Sequence, residues 1–177
     1  MTTRGYFAIG VERISKPMNL GNLMRSAHGF GASFAFTVGA DPRAFEAKSD
    51  TSKSAGHLPM YHWADAADMR LPMHCRLVGI ELLDEATDLP SFRHPARAAY
   101  VLGPERGSLS EAMIARCDYV VKIPTAFCIN VAMAGAIVMY DRVRSLGRFA
   151  PRPVTEGGAP PLLEHVHGPA RSRMTGR

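Results

Sequence analysis

The sequence predicts an α/β fold, a mostly parallel sheet flanked by helices, on three observations. Short apolar runs rich in β-branched and aromatic residues recur from "GYFAIGVE" to "DYVVKIP". Segments with helical spacing fall between several of them, long enough to carry one parallel strand over to the next. The 177 residues suffice for one domain with a proper core, so we expect a single domain over 1–150 followed by a flexible tail over 151–177.

In chain order, "GYFAIGVE" reads as a strand. "PMNLGNLMRSAHGFG" follows, with Leu20, Leu23, Met24, Ala27 and Phe30 on one helical face, Asn19 placed to cap the start and Gly31 to end it. "SFAFTVG" is the second strand. Residues 40–62 are polar and carry Pro42, Gly56 and Pro59, which predicts a loop with a short helix near Ser52 to Ala55. "WADAADMR" reads as another short helix. Strands then resume at "CRLVGIEL", "AAYVLG" and "DYVVKIP", with the helix "SEAMIARC" between the last two. Ser108 and Glu111 have the spacing of a capping box for that helix. The closing helix runs from about Asn130 to Leu146 and stops at Gly147. Beyond Pro151 the chain is rich in Pro and Gly, has no lasting periodicity, and ends with Arg171, Arg173 and Arg177.

Composition narrows the function classes. The start of the chain breaks into Glu12, Arg13 and Lys16 too early for a secretory signal, and no apolar run is long enough to span a bilayer, so a cytoplasmic location is expected. Cys75, Cys117 and Cys128 are odd in number and far apart, which predicts reduced thiols; no Cys or His spacing forms a metal site, and none is expected. Lys and Arg number 21 against 16 Asp and Glu, a balance that favours polyanionic partners such as nucleic acid without specifying them.

Several segments carry chemistry only in combination. "GFGASF" is not a dinucleotide loop, because its glycines end a helix instead of opening one. "GPERGSLS" has no lysine for a Walker loop, yet it joins a strand end to a helix start, with Gly103 and Gly107 allowing close backbone approach. Glu105 at its tip and Arg25 on its helix would, alone, be ordinary solvated charges. Asn130 interrupts the apolar run "IPTAFCINVAMAGAIVMYD" where it can cap the closing helix. Ala132, Ala134, Gly135 and Ala136 then form a small-residue surface that another helix or a subunit can approach.

Taken in order, "NLGNLMR", "LGPERGSLS" and "IPTAFCINVAMAGAIVMYD" resemble the three motifs of the SpoU (TrmH-like) RNA methyltransferases of the SPOUT superfamily. The similarity covers roughly residues 5–147 and takes in "SKSAGHLP" as the linker after the second strand. The resemblance implies a C-terminal trefoil knot, a homodimer, S-adenosyl-L-methionine as cofactor, and methylation of a ribose 2′-hydroxyl in RNA, tRNA before rRNA. Neither a membrane nor DNA is implied as a partner.

Residue by residue, the resemblance makes Asn19 and Arg25 the polar pair of the first motif, Glu105 the acid of the second and Asn130 the asparagine of the third. These four are the expected catalytic residues. Arg25 would activate or position the ribose hydroxyl, either as base or by stabilising developing alkoxide charge. The cofactor would lie against Leu102, Gly103, Pro104, Glu105 and Gly107, with Ile123, Cys128, Ile129, Asn130 and Val131 around its two ends and Gly79 and Ile80 lining the same pocket. Cys128 stands where the family usually has serine; its thiol is larger than a hydroxyl and a weaker hydrogen-bond donor, which bears on rate or substrate preference.

Two other readings compete. A catalytically silent RNA-binding protein of the same fold is suggested by Cys128 and by the expectation that no separate RNA-binding domain precedes Gly5. Methylation of a base is disfavoured because Asn19, Arg25 and Glu105 follow the ribose pattern. Either way the grip on RNA would come from the domain's own basic surface and from the arginine tail.

Overall fold

The computed structural model describes residues 5–45 and 58–147, with 149 and 157. The expected helix near Ser52 to Ala55 lies outside these residues, as does the tail apart from Gly157 and so the domain boundary at 150.

Seven strands form one sheet in which every pairing is parallel: β1 (Tyr6–Glu12), β2 (Phe34–Val38), β3 (Met60–Trp63), β4 (Arg76–Ile80), β5 (Thr87–Asp88), β6 (Arg97–Leu102) and β7 (Tyr119–Lys122). Their order across the sheet is β3-β2-β1-β6-β4-β7-β5. The helices are α1 (Pro17–Phe30), α2 (Glu111–Arg116) and α3 (Val131–Leu146). β1 and β6 sit at the centre, and every residue from Phe7 to Glu12 and from Ala98 to Leu102 is buried, as expected of strands covered on both faces. One core packs α1 and α3 against Ile9, Val78 and Tyr100; the other packs α2 and the 64–71 segment against Phe36, Leu77 and Val101.

The small-residue face of α3 is used within the chain. A Cβ on Gly135 would stand 2.4 Å from a Leu23 methyl and 3.3 Å from one of Ile9, so glycine there is what lets α1 close on α3. Gly31 ends α1 in the left-handed region, φ 76°, with its N–H bonded to the end of the helix. No helix among the described residues is long and apolar enough to cross a membrane.

Four local expectations are corrected. Asn19 does not cap α1: Lys16 holds that position, and Asn19 is buried inside the first turn. Ser110, not Ser108, caps α2, its hydroxyl accepting from the Met113 amide at 3.1 Å. The helix start is displaced because carboxylates at the ends of two strands seize the preceding amides, Glu81 that of Leu109 and Glu12 that of Ser110, each at 2.7 Å. In "WADAADMR" the residues after Trp63 form turns rather than a helix, and Met60 to His62, read as loop, form the edge strand β3 with Trp63.

At the amino ends of β1 and β6 a polar cluster ties α3 to the sheet. Arg142 is buried, donating to the carbonyls of Pro95 (2.6 Å), Ala96 (2.9 Å) and Tyr6 (3.2 Å) and to the Tyr100 hydroxyl (3.0 Å). Its guanidinium also lies 5.3 Å from the centre of the Phe7 ring. Burial pushes the Tyr100 phenol up to about 12, so it keeps its proton. With its lone pair taken by Arg142, that proton points to His94 Nδ1 at 2.6 Å, and His94 Nε2–H donates to Asp141 at 2.9 Å. His94 is therefore a neutral imidazole, in agreement with the lowering of its pKa, which burial drives against the pull of Asp141.

Candidate active site

Parallel strands deliver the loops that follow them to one edge of the sheet, and a crevice forms where neighbouring connections diverge. Here the segments after β1, β4, β6 and β7 enclose a cleft of about 250 Å³. Its floor is apolar, from Ile80, Leu102, Ile123, Ile129, Val131 and Ala134. Its polar wall comes from Lys16, Asn19, Glu81, Glu105, Thr125 and Asn130.

Glu105 organises the wall. One carboxylate oxygen accepts from the Ser15 amide and hydroxyl, both at 3.1 Å; the other accepts from the Lys16 amide at 2.8 Å and from Asn19 Nδ2 at 3.2 Å. The acid thus sits on the start of α1, where no side chain of the helix itself caps and where the helix dipole favours an anion. Burial would raise its pKa, but the hydrogen bonds from its own amide, from Lys16, Ser15 and Asn19 together outweigh that and hold it below the usual glutamate value.

Asn19 passes the connection on. Its Oδ1 accepts from Asn130 Nδ2 at 3.0 Å. Asn130 in turn caps α3, its Oδ1 accepting from the amides of Ala132 (2.9 Å) and Met133 (3.3 Å). Three residues from three distant segments thereby form one chain of side-chain contacts along the cleft. Asn19 and Asn130 each have their amide orientation assigned by this chain, since only one placement of O and N serves both ends.

The structure brings most of the sequence-predicted residues together. Asn19, Ile80, Leu102, Gly103, Pro104, Glu105, Gly107, Ile123, Cys128, Ile129, Asn130 and Val131 line the cleft. Two do not. Gly79 backs away from it: a Cβ there would meet the Cys117 thiol at 2.9 Å and Leu109 at 3.2 Å, on the face covered by α2. Arg25 is exposed on α1 outside the cleft. Six residues beyond Asn19, it lies about 9 Å along the axis and about a third of a turn round the helix.

Sequence reasoning passed over Glu81, Lys16 and Thr125. Glu81 was legible as a carboxylate directly after a buried apolar strand, the place where loops turn toward a ligand. It accepts from the amides of Leu82 (3.0 Å) and Leu109 (2.7 Å), which braces the second wall. Thr125 tightens the loop before α3 by donating to the Phe127 carbonyl at 2.9 Å.

With this geometry in place, the sequence pattern of the SpoU rRNA Methylase family matches residues 6–140. The chain belongs to that family. It is 28% identical over 143 residues to the mouse (Mus musculus) tRNA (guanosine(18)-2′-O)-methyltransferase TARBP1, an alignment that takes in 74% of this chain and 9% of that protein. It is 26% identical over 163 residues to the 23S rRNA (uridine(2479)-2′-O)-methyltransferase of Streptomyces viridochromogenes, covering 84% of this chain and 56% of the relative. This member of the SpoU family therefore spans at most little more than half the length of these curated relatives. An rRNA methyltransferase crystal structure from Sinorhizobium meliloti superposes with a TM-score of 0.71 at 25% identity, over 81% of this chain and 57% of that one.

Proposed function

We propose that the chain is an S-adenosylmethionine-dependent methyltransferase acting on a ribose 2′-hydroxyl of RNA, with tRNA the first substrate to test. The observation that carries the reading is the contact chain Asn130–Asn19–Glu105, which joins the three motif segments along one cleft. Both curated relatives are named as RNA 2′-O-methyltransferases, and an AdoMet-bound rRNA methyltransferase from S. meliloti shares the fold at a TM-score of 0.69. Family membership further supports a trefoil knot at the carboxyl side of the sheet.

The lining suits the cofactor. Its apolar floor accepts an adenine face, and the carboxylates of Glu81 and Glu105 suit a ligand that carries a sulfonium, an ammonium and ribose hydroxyls. Leu102 to Gly107 and Ile123 to Val131 would hold it. Bound there, the cofactor supplies a methyl carbon on a positively charged sulfur, already an activated electrophile. The chain's own task is then orientation and charge. Asn19, fixed from both sides by Glu105 and Asn130, sets the wall against which the ribose is aligned. Arg25 stabilises the oxygen as it loses its proton; a guanidinium is a poor base because it stays protonated.

A homodimer completes this reading. Met133, Ile137 and Tyr140 are exposed at helical spacing on the outer face of α3, an apolar stripe that the chain's own packing leaves open. In a dimer built on that stripe, Arg25 would serve the partner's cleft rather than its own. The position of Arg25 also favours the second reading, a silent RNA-binding protein, and Cys128, exposed on the cleft lining, adds to it.

Transfer of labelled methyl from S-adenosylmethionine to bulk tRNA and, separately, to rRNA, followed by nucleoside analysis, tests the reading. A 2′-O-methyl nucleoside that disappears with Arg25→Ala is the expected result. A protein that binds RNA but no S-adenosylmethionine at millimolar concentration would leave the silent reading standing.

A further inference from the structure

A second cleft of about 280 Å³ opens beside the first, lined by Arg13, Ser15, Lys16, Pro104, Glu105 and Arg106. Lys16, Pro104 and Glu105 line both, so the two are continuous. Three cations here face one carboxylate, and that carboxylate already accepts from Ser15, Lys16 and Asn19. The cleft thus keeps a surplus of positive charge and of unspent N–H donors on its rim.

Arg13 is held there at a cost. It has φ 53°, a left-handed conformation disfavoured for a residue with a Cβ. The turn is fixed by its amide, which donates to the Val38 carbonyl at 2.7 Å, and by its guanidinium, which donates to the Ser108 carbonyl at 2.6 Å. That second bond stretches the side chain from the end of β1 to the loop after β6. Nearby Glu12 does not neutralise it well: its oxygens accept from Ser110 at 2.6 and 2.7 Å, while Arg13 Nε stands 3.9 Å away. The Arg13 side chain is half exposed beside the cleft, within reach of a ligand there.

We propose that this second cleft binds a single backbone phosphate of the RNA strand, next to the nucleotide whose ribose enters the first cleft. The inference rests on the methyltransferase reading for its substrate, and on Arg13, Lys16 and Arg106 for its chemistry. A phosphodiester is the anion that matches: an arginine fork and two further cations suit its tetrahedral oxygens, and it recurs one nucleotide from any ribose. Fixing that phosphate fixes the adjacent sugar, which is the orientation methyl transfer requires.

The test uses the double variant Arg13→Gly, Arg106→Gln in the full chain. Glycine suits φ 53° and keeps the amide bond to the Val38 carbonyl, so the turn after β1 is retained while the cation and its bond to Ser108 are removed. Lys16 is left in place because it also lines the first cleft. Affinity for bulk tRNA and rRNA is measured over a salt series, with S-adenosylmethionine affinity and competition by inorganic phosphate alongside. The expected result is RNA binding weakened about tenfold and the slope of log affinity against log salt reduced by about one, since one phosphate is released. Cofactor affinity stays within about twofold. Unchanged RNA binding overturns the proposal, as does a slope reduced by about two, which would mean separate phosphates. Loss of phosphate competition with RNA affinity intact would make the cleft a free-anion site and overturn its assignment to RNA. A wild-type protein that shows the RNA effect but binds no S-adenosylmethionine refutes the methyltransferase reading and leaves the phosphate cleft standing.

Discussion

Two polar networks lie at opposite ends of the same parallel strands. At the amino ends, Arg142, Tyr100 and His94 are buried, and both terminal guanidinium nitrogens, the Tyr100 hydroxyl and the His94 Nε2–H meet acceptors within the chain. At the carboxyl ends, Asn19, Glu105 and Asn130 are just as well connected but stand on the wall of a cleft. Hydrogen-bond satisfaction alone therefore does not separate a structural network from a functional one. Access does: a sealed network can only hold the fold, whereas an open one also has lone pairs and N–H groups left for a ligand.

The sharpest way to break the comparison is to open the sealed network. Arg142→Met keeps the length and the apolar packing but removes the guanidinium donor from the Pro95, Ala96 and Tyr6 carbonyls and from the Tyr100 oxygen, of which Ala96 keeps the Tyr6 amide. We expect a loss of about 3 kcal/mol in urea unfolding. Cofactor affinity of the protein that remains folded should be unchanged. A loss below about 1 kcal/mol would mean that water replaces the guanidinium and that the cluster is not sealed.

Asn130 tests the open network more finely, because its two ends do different work. Asn130→Ala removes the cap of α3 and should cost about 1 kcal/mol. Asn130→Asp keeps an oxygen for the Ala132 and Met133 amides and suits the helix dipole, so stability should hold. It cannot donate to Asn19, however, and it adds a negative charge near Glu105. S-adenosylmethionine affinity, read by calorimetry, should therefore change while the melting temperature does not. Equal effects of the two variants on stability would show that the cap is irrelevant and the Asn19 contact dominant.

How far these networks were legible in the sequence differs for the same reason. The runs of β1, β2, β4, β6 and β7 and the helices α1 and α3 followed from apolar spacing, because a strand buried on both faces and a helix with a core side leave that trace. β3 did not: with Tyr61 and His62 exposed at the sheet edge it carries no apolar alternation. Asn19 was read as a cap because caps are local, yet its partners, Glu105 and Asn130, are 86 and 111 residues away. The start of α2 was misplaced by Glu12 and Glu81, contacts no spacing rule contains. Arg142 falls on the buried stripe of α3 with Gly135, Val138 and Met139, and a lone arginine on such a stripe was the available sign of the sealed cluster.

Acid should part the two networks in sequence. Glu105 has a depressed pKa, so its contribution is present above the ordinary glutamate range and is lost as pH falls through the folded value. Glu105→Gln should remove that portion of the acid transition and weaken the start of α1.

The smallest expected effect lies in the sealed network, closer to neutrality. His94 is neutral in the fold and its pKa is lowered, so the unfolded chain takes up a proton first as pH drops below about 6.5. Stability should therefore fall between pH 7 and the lowered folded value, by no more than one proton's linkage, and level off below it once both states are protonated. His94→Gln can keep one hydrogen bond to Tyr100 or Asp141 but cannot titrate; it should be less stable at pH 7 and flatter between pH 7 and 5. Urea midpoints for the two proteins at four pH values distinguish the slopes. If wild type and variant run parallel, the imidazole is not held neutral, and Tyr100 must turn its proton elsewhere. An imidazolium could then donate to both Tyr100 and Asp141, and the amino-end cluster would hold a paired charge instead of a neutral relay.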